Sequence, residues 1–156
     1  MSICKIGHLQ QYELNKMKNK VIIRDYCPSD FNKIQDFWKL LDMAGEERKD
    51  DNKVIMRTIK FGGKLIILEK DKNIIGTAWL TNDTRRTYFH HFGIHPDFQK
   101  QGYGTKLMDE CMKYIKKTAL QVKIEVHKKN IVALKLYHNY NFINFPKYEL
   151  MMLREI

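Results

Sequence analysis

The alternation of apolar and polar positions divides the chain into short elements of two kinds. Val21-Ile22-Ile23-Arg24 is rich in β-branched residues and predicts a first strand. Pro28-Ser29-Asp30 supplies a turn and an N-cap. Phe31, Ile34, Phe37, Trp38 and Leu41 then recur at helical spacing and predict an amphipathic helix. The charged stretch Glu46-Glu47-Arg48-Lys49-Asp50-Asp51 reads as a solvated loop, and a weaker helical pattern over residues 53–61 stops at Gly62-Gly63. Three strand-like runs follow at residues 65–68, 74–80 and 87–94, joined by turns at Asp71-Lys72-Asn73 and Asn82-Asp83-Thr84. His95-Pro96 ends that ladder, because proline has no N–H to give it and restricts the residue before it.

Further along, Leu107, Met108, Cys111, Met112 and Ile115 form an apolar stripe on a helix over residues 103–117, where Met and Cys serve as core filler. Leu120, Val122, Ile124 and Val126 alternate strictly with polar residues and predict a strand. Asn130 is placed to cap a helix over residues 131–140. From Phe142 onward the chain has strand-like stretches, with Tyr148, Leu150 and Met152 in alternation. The predicted order is β-α-α-β-β-β-α-β-α-β-β, an α/β fold with a mixed, mainly antiparallel sheet. Residues 1–20 have a mixed polar pattern, an arm or a short helix, and residues 21–156 read as a single domain.

Composition narrows the class. A chain of 156 residues can bury a real core, and 44% hydrophobic with 29% charged residues is ordinary for a soluble protein. No window approaches the roughly 18 apolar residues of a membrane span, and the first twenty residues lack the apolar run and cleavage site of a signal peptide. Cys4, Cys27 and Cys111 are odd in number and show no CxxC spacing, which argues against a disulfide framework or structural zinc and suits a reducing cytoplasm. A formal net charge of +10 favours polyanionic partners, including a multiply phosphorylated cofactor. The basic residues are scattered and no RNA-binding motif appears, which weighs against nucleic acid.

The strand ending at Ile94, the loop Gln99-Lys100-Gln101-Gly102-Tyr103-Gly104 and the helix that follows have the form of an anion site. Backbone N–H groups point outward at a helix start, where the macrodipole adds positive potential, and glycine lets a phosphate approach the backbone closely. A Walker A loop requires a different glycine spacing, and a dinucleotide fingerprint would need a small residue where Leu107 stands. By itself the loop is more simply a tight strand-to-helix turn with no ligand.

Residues 95–104 resemble the acetyl-CoA signature of the GNAT family of N-acetyltransferases, Arg/Gln-x-x-Gly-x-Gly/Ala. A second block agrees: Asn130, Ala133, Leu134, Leu136, Tyr137 and Phe142 resemble the family's Asn-x-x-Ala-x-x-Leu-Tyr-x-x-x-Gly-Phe segment. Within the family, residues 94–107 and Ile124-Glu125-Val126 are most similar to enzymes that acetylate the N-terminal alanine of a ribosomal protein. Two departures stand out. Gln99 replaces the commoner arginine, which removes a charge and keeps a donor, and Asn141 stands where glycine is usual, a residue that tolerates the left-handed conformation.

The resemblance implies an acetyl-CoA-dependent N-acetyltransferase with no metal, acting on a primary amine by direct attack on the thioester. It implies that the amides of Gln101, Gly102, Tyr103, Gly104 and Thr105 cradle the pyrophosphate beside Gln99 and Lys100, and that a main-chain N–H near Phe92, Gly93 and Ile94 meets the thioester carbonyl. Asn130 would combine capping with a cofactor contact. Tyr137 would protonate the departing sulfur, its alternative being a core aromatic on the helix face. Glu125 would be the base, directly or through water, if half-burial raises its pKa; its alternative is an exposed glutamate paired with Lys123 or Lys128. His90 and His91 flank the same place, and regular alternation would let at most one of them face the cleft. The acceptor is a protein or peptide N-terminus or a small-molecule amine such as a polyamine, amino sugar or amino acid. A monomer or homodimer fits. The rival class is a non-catalytic acyl-CoA- or nucleic-acid-binding module.

Overall fold

The computed structural model describes residues 20–153; residues 1–19 of the predicted arm at 1–20, Cys4 among them, lie outside that range. Five strands form one sheet in the order β1-β2-β3-β4-β5. They are β1 (Val21–Asp25), β2 (Lys64–Lys70), β3 (Asn73–Asn82), β4 (Arg86–Ile94) and β5 (Gln121–Ile124). The first four are antiparallel neighbours and β5 joins β4 in parallel. Helices α1 (Phe31–Leu40) and α2 (Asn52–Lys60) lie between β1 and β2, α3 (Tyr103–Thr118) precedes β5, and α4 (Ile131–Asn139) follows it. The sheet is thus the predicted mixed, mainly antiparallel one.

Strand alternation gives the sheet two apolar faces, and each receives helices. Ile34, Phe37 and Trp38 of α1 and Ile55 of α2 pack with Leu65, Ile67 and Trp79 on one face. On the other, Leu107, Met108, Cys111 and Ile115 of α3 pack against Ile66, Leu68, Ala78, Leu80 and Phe89. Met108 and Cys111 are fully buried, as core filler should be, and burial pushes the Cys111 thiol well above its usual range.

Three local expectations change. Asp30 stands before α1 but makes no side-chain cap to it. Its carboxylate instead accepts two hydrogen bonds from the Arg24 guanidinium, at 2.7 and 2.9 Å, and one from the Cys27 N–H at 2.9 Å. Arg24 also reaches Glu69 Oε2 at 2.7 Å, so one cation joins β1, β2 and the turn into α1. Hydrogen bonding to Arg24 holds the Asp30 carboxyl below its usual range. A carboxylate with a depressed folded pKa contributes stability that is present above its unfolded pKa near 4 and is lost as pH falls through the folded value. Arg24→Met should therefore cost about 3 kcal/mol at pH 7, by leaving two shielded carboxylates without their cation. The gap from wild type should narrow below about pH 4. Thermal denaturation of both proteins at pH 7 and pH 3 checks this, and an equal gap at both would sink it.

The predicted strands after Phe142 are not formed among the described residues. Phe142 is anchored by its N–H on the Tyr137 carbonyl at 3.1 Å. Beyond it Tyr148, Leu150 and Met152 are 76%, 67% and 63% exposed. Alternation marks which side chains would share a face; a strand also needs an edge to pair with and a layer to cover it. Pro146 removes a ladder donor in mid-segment, and the sheet edge at β5 is only four residues long. The predicted strand through Val126 likewise ends at Ile124, because its last paired partner on β4 is Phe89.

Candidate active site

The chain's chemistry-bearing residues gather where β4 stops pairing with β5. On β3 and β4, Thr77 opposes Gly93 and Trp79 opposes His90, so His91 and Phe92 together face Ala78 alone. That is a β-bulge. His91 carries the positive φ, 45°, that turns the strand. A bulge leaves one residue outside the ladder and re-aims its main-chain groups. It also breaks the alternation: both histidine rings lie beside Trp79, with centroids 5.9 Å away for His90 and 5.5 Å for His91. The expectation that only one of them could face this side fails for that reason. Phe92 turns to the opposite face, where its ring meets Tyr137 edge-on at 6.0 Å.

The glycine loop adjoins this point. Lys100 and Gly102 both have positive φ, 59° and 80°. Gly102 is the N-cap of α3 and has no side-chain cap, so the first-turn amides have no intrahelical acceptor. A Cβ at Gly102 would meet nothing within 4 Å, so space for an anion lies directly against this helix start. One at Gly104 would touch Leu136 Cδ2 at 3.7 Å and Ile94 Cγ1 at 3.9 Å, placing β4, α3 and α4 in mutual contact there. The Tyr140 hydroxyl ties α4 to α3 by donating to Asp109 Oδ1 at 2.6 Å. The two sequence blocks, a helix and a strand apart in the chain, therefore adjoin in the fold.

Side chains within the loop are partly committed. The Gln99 amide donates to the Ile94 carbonyl at 3.0 Å and the Gln101 amide to the Asp97 carbonyl at 2.9 Å. The donor that Gln99 retains closes the turn and is therefore committed within the loop. Lys100 and Thr105 are exposed. Asn130 caps α4, accepting from the Ala133 N–H at 3.1 Å, and Asn141 adopts the left-handed φ of 64° expected of it.

The candidate acid and base differ sharply in environment. Tyr137 is buried, 6% exposed, and burial raises its phenol well above the usual value near 10. Glu125 is exposed, one residue past β5, so the half-buried setting expected of it is absent. Its charge is nevertheless felt at His90. Desolvation lowers the His90 pKa, Glu125 opposing, and the ring shares a 3.0 Å hydrogen bond with Thr81 Oγ1. His91 is held otherwise. Its Nε2 lies 3.0 Å from the Met43 carbonyl, which can only accept, so this nitrogen carries the proton. The supposed solvated loop supplies its second neighbour, Asp50 Oδ2 at 3.4 Å; no local pattern in the sequence signals that contact. Among the described residues no group of three or more His, Cys, Asp or Glu side chains is gathered for a metal, and no helix is long and apolar enough to cross a membrane.

Comparison with known proteins agrees with this geometry. No curated protein sequence matches the chain. Solved structures share its fold: a GNAT-family acetyltransferase from Staphylococcus aureus Mu50 has a TM-score of 0.69 at 17% identity, covering 77% of this chain and 81% of that one. A predicted acetyltransferase from Clostridium acetobutylicum, solved with acetyl-CoA, has a TM-score of 0.69 at 15% identity, covering 85% and 96%. Glucosamine-6-phosphate N-acetyltransferase from Arabidopsis thaliana has a TM-score of 0.63 at 16% identity, covering 87% and 98%. The acetyltransferase (GNAT) family matches residues 31–142, well over half of the sequence. The chain belongs to the GNAT family of acetyltransferases, enzymes whose acyl donor is acetyl-CoA.

Proposed function

We propose that this enzyme moves the acetyl group of acetyl-CoA to the nitrogen of a primary amine, and that the acceptor is the N-terminal amine of a polypeptide. The observation that carries the transfer reaction is the contact of β4, α3 and α4 at Gly104, which puts an uncapped helix N-terminus, a strand bulge and the Tyr137 ring at one place. The open space at Gly102 and the first-turn amides of α3 suit a pyrophosphate. Acetyl-CoA, when bound, supplies the thioester that the amine attacks.

The chain's own groups then have distinct tasks. Main-chain N–H groups at Phe92 to Ile94, re-aimed by the bulge, donate to the carbonyl oxygen where negative charge develops. Tyr137 is protonated at every working pH, because burial raises its pKa, and it gives its proton to the sulfur as it departs, regaining one from solvent. Glu125, through water, takes the proton that the amine must lose; His90, whose pKa desolvation lowers against the opposing charge of Glu125, is the alternative acceptor.

The polypeptide acceptor is supported by the likeness of residues 94–107 and Ile124-Glu125-Val126 to ribosomal-protein N-terminal acetyltransferases. A second reading, a cationic small amine, is favoured by the cavity between α1 and residues 44–51, where Asp36, Glu46, Asp50 and Asp51 outnumber Lys39 and Lys49. Thiol release from acetyl-CoA with peptide N-termini, polyamines and amino sugars decides between them. With the preferred acceptor, Glu125→Gln should lower kcat/KM about ten- to a hundredfold at pH 7. An unchanged value, with His90→Gln lowering it instead, would move the base role to His90.

A further inference from the structure

His91 combines three features that a packing residue does not need. Its backbone is left-handed without being glycine, φ 45°. Its side chain is only 7% exposed, yet Nδ1 has no hydrogen-bond partner among the described residues. Its ring is held between two parts of the fold. On the sheet side the ring centroid lies 4.1 Å from that of Trp38, while the His91 carbonyl accepts from Thr77 Oγ1 at 2.8 Å, the same oxygen that accepts from Trp38 Nε1 at 2.9 Å. On the other side Nε2–H is directed to the Met43 carbonyl and lies near Asp50, both in the connection between α1 and α2. At the adjoining residue, a Cβ on Gly93 would fall 2.5 Å from Leu41 Cδ1 and 2.9 Å from Met43 Cε, so the connection lies directly on the bulge.

Strained backbone and unpaired buried polar atoms persist where the surroundings over-determine them, and they concentrate at functional sites. We propose that His91 is a positioning residue: its Nε2–H tethers the α1–α2 connection to the β4 bulge and thereby fixes the direction of the main-chain N–H groups at Phe92 to Ile94. The tether rests on the function proposed above for its catalytic consequence, and on the geometry alone for its existence. It acts as a neutral donor. Burial, with the nearby His90 and Arg48, pushes the imidazole down to about 4, and burial raises the carboxyl of Asp50. His91 is therefore uncharged at neutral pH, and Nε2–H, already committed to Met43, makes it unsuited to taking the amine's proton.

The test compares His91→Leu, which fills the space without a donor, with His91→Gln, which restores an N–H. His91→Leu should lower kcat about ten- to a hundredfold, since small misplacements of catalytic donors have effects of that size. The acetyl-CoA Kd should stay within about twofold, because the glycine loop binds the phosphates separately. His91→Gln should recover most of the loss. Amide hydrogen exchange is the readout that does not depend on turnover: it should quicken in residues 41–50 and 90–94 together in His91→Leu and return toward wild type in His91→Gln. Unchanged exchange in residues 41–50, or equal losses of kcat in both variants, overturns the tether. Wild-type protein that releases no thiol with any amine overturns the proposed function instead, and leaves the exchange result to judge the tether by itself.

Discussion

Tyr137→Phe is expected to lower kcat about a hundredfold while leaving acetyl-CoA affinity and thermal stability nearly unchanged. The substitution removes one oxygen and keeps the ring, so the edge-on contact with Phe92 at 6.0 Å and the contact with Phe142 at 5.8 Å survive. Nothing in the packing then accounts for a rate loss, which would be chemical. Burial raises the phenol pKa, so the hydroxyl is a donor throughout the neutral range; activity that depends on it is lost only as pH rises past the ordinary tyrosine value near 10. The wild-type rate should accordingly show no alkaline fall attributable to Tyr137 below that pH. Steady-state kinetics with thiol detection measure both. A variant within about threefold of wild type would return Tyr137 to the role of core aromatic, because general acid catalysis contributes more than that.

The second large effect concerns the fold beneath the site. Trp38 is fully buried, stacks on Trp79 at 5.9 Å, touches the His91 ring and donates to Thr77. Trp38→Ala should cost about 3–5 kcal/mol, the usual range for a large aromatic removed from a core. For a domain of this size that lowers Tm by roughly 10–15 °C. Trp38→Phe should cost less, since it loses the indole N–H and part of the volume but leaves no comparable cavity. Scanning calorimetry of the three proteins checks the order, and a loss below about 1 kcal/mol in Trp38→Ala would show that the α1 face closes over the gap. Trp38 also supports the bulge, so Trp38→Phe at low temperature should impair turnover more than its stability loss alone predicts.

What could be read from the residues was whatever a short stretch decides by itself. Helical spacing in Phe31 to Leu41 and Leu107 to Ile115, β-branched runs bounded by turns, and Asn130 as a cap all depend on neighbours a few positions away, and the fold has them. The two motif blocks also carried the family, since residue type at set spacing is a property of the chain. Asn141 in the left-handed region belongs here too, because few other residues tolerate it.

Tertiary structure decided what depends on a partner distant in the sequence. The bulge exists only as a mismatch between β4 and β3, so no alternation within residues 86–94 announces it, and it alone puts His90 and His91 on one side. The Arg24 triad took Asp30 away from its helix because a guanidinium on β1 satisfies a carboxylate better than one backbone N–H does. The apolar alternation after Phe142 found no edge or covering layer, and Glu125 stands exposed one residue past β5. The sequence by itself determined the helices, the strands through Ile124, the family and the glycine loop. Only the folded chain determined which groups meet, since a hydrogen bond, an ion pair or a buried face is a relation between segments that neither segment contains.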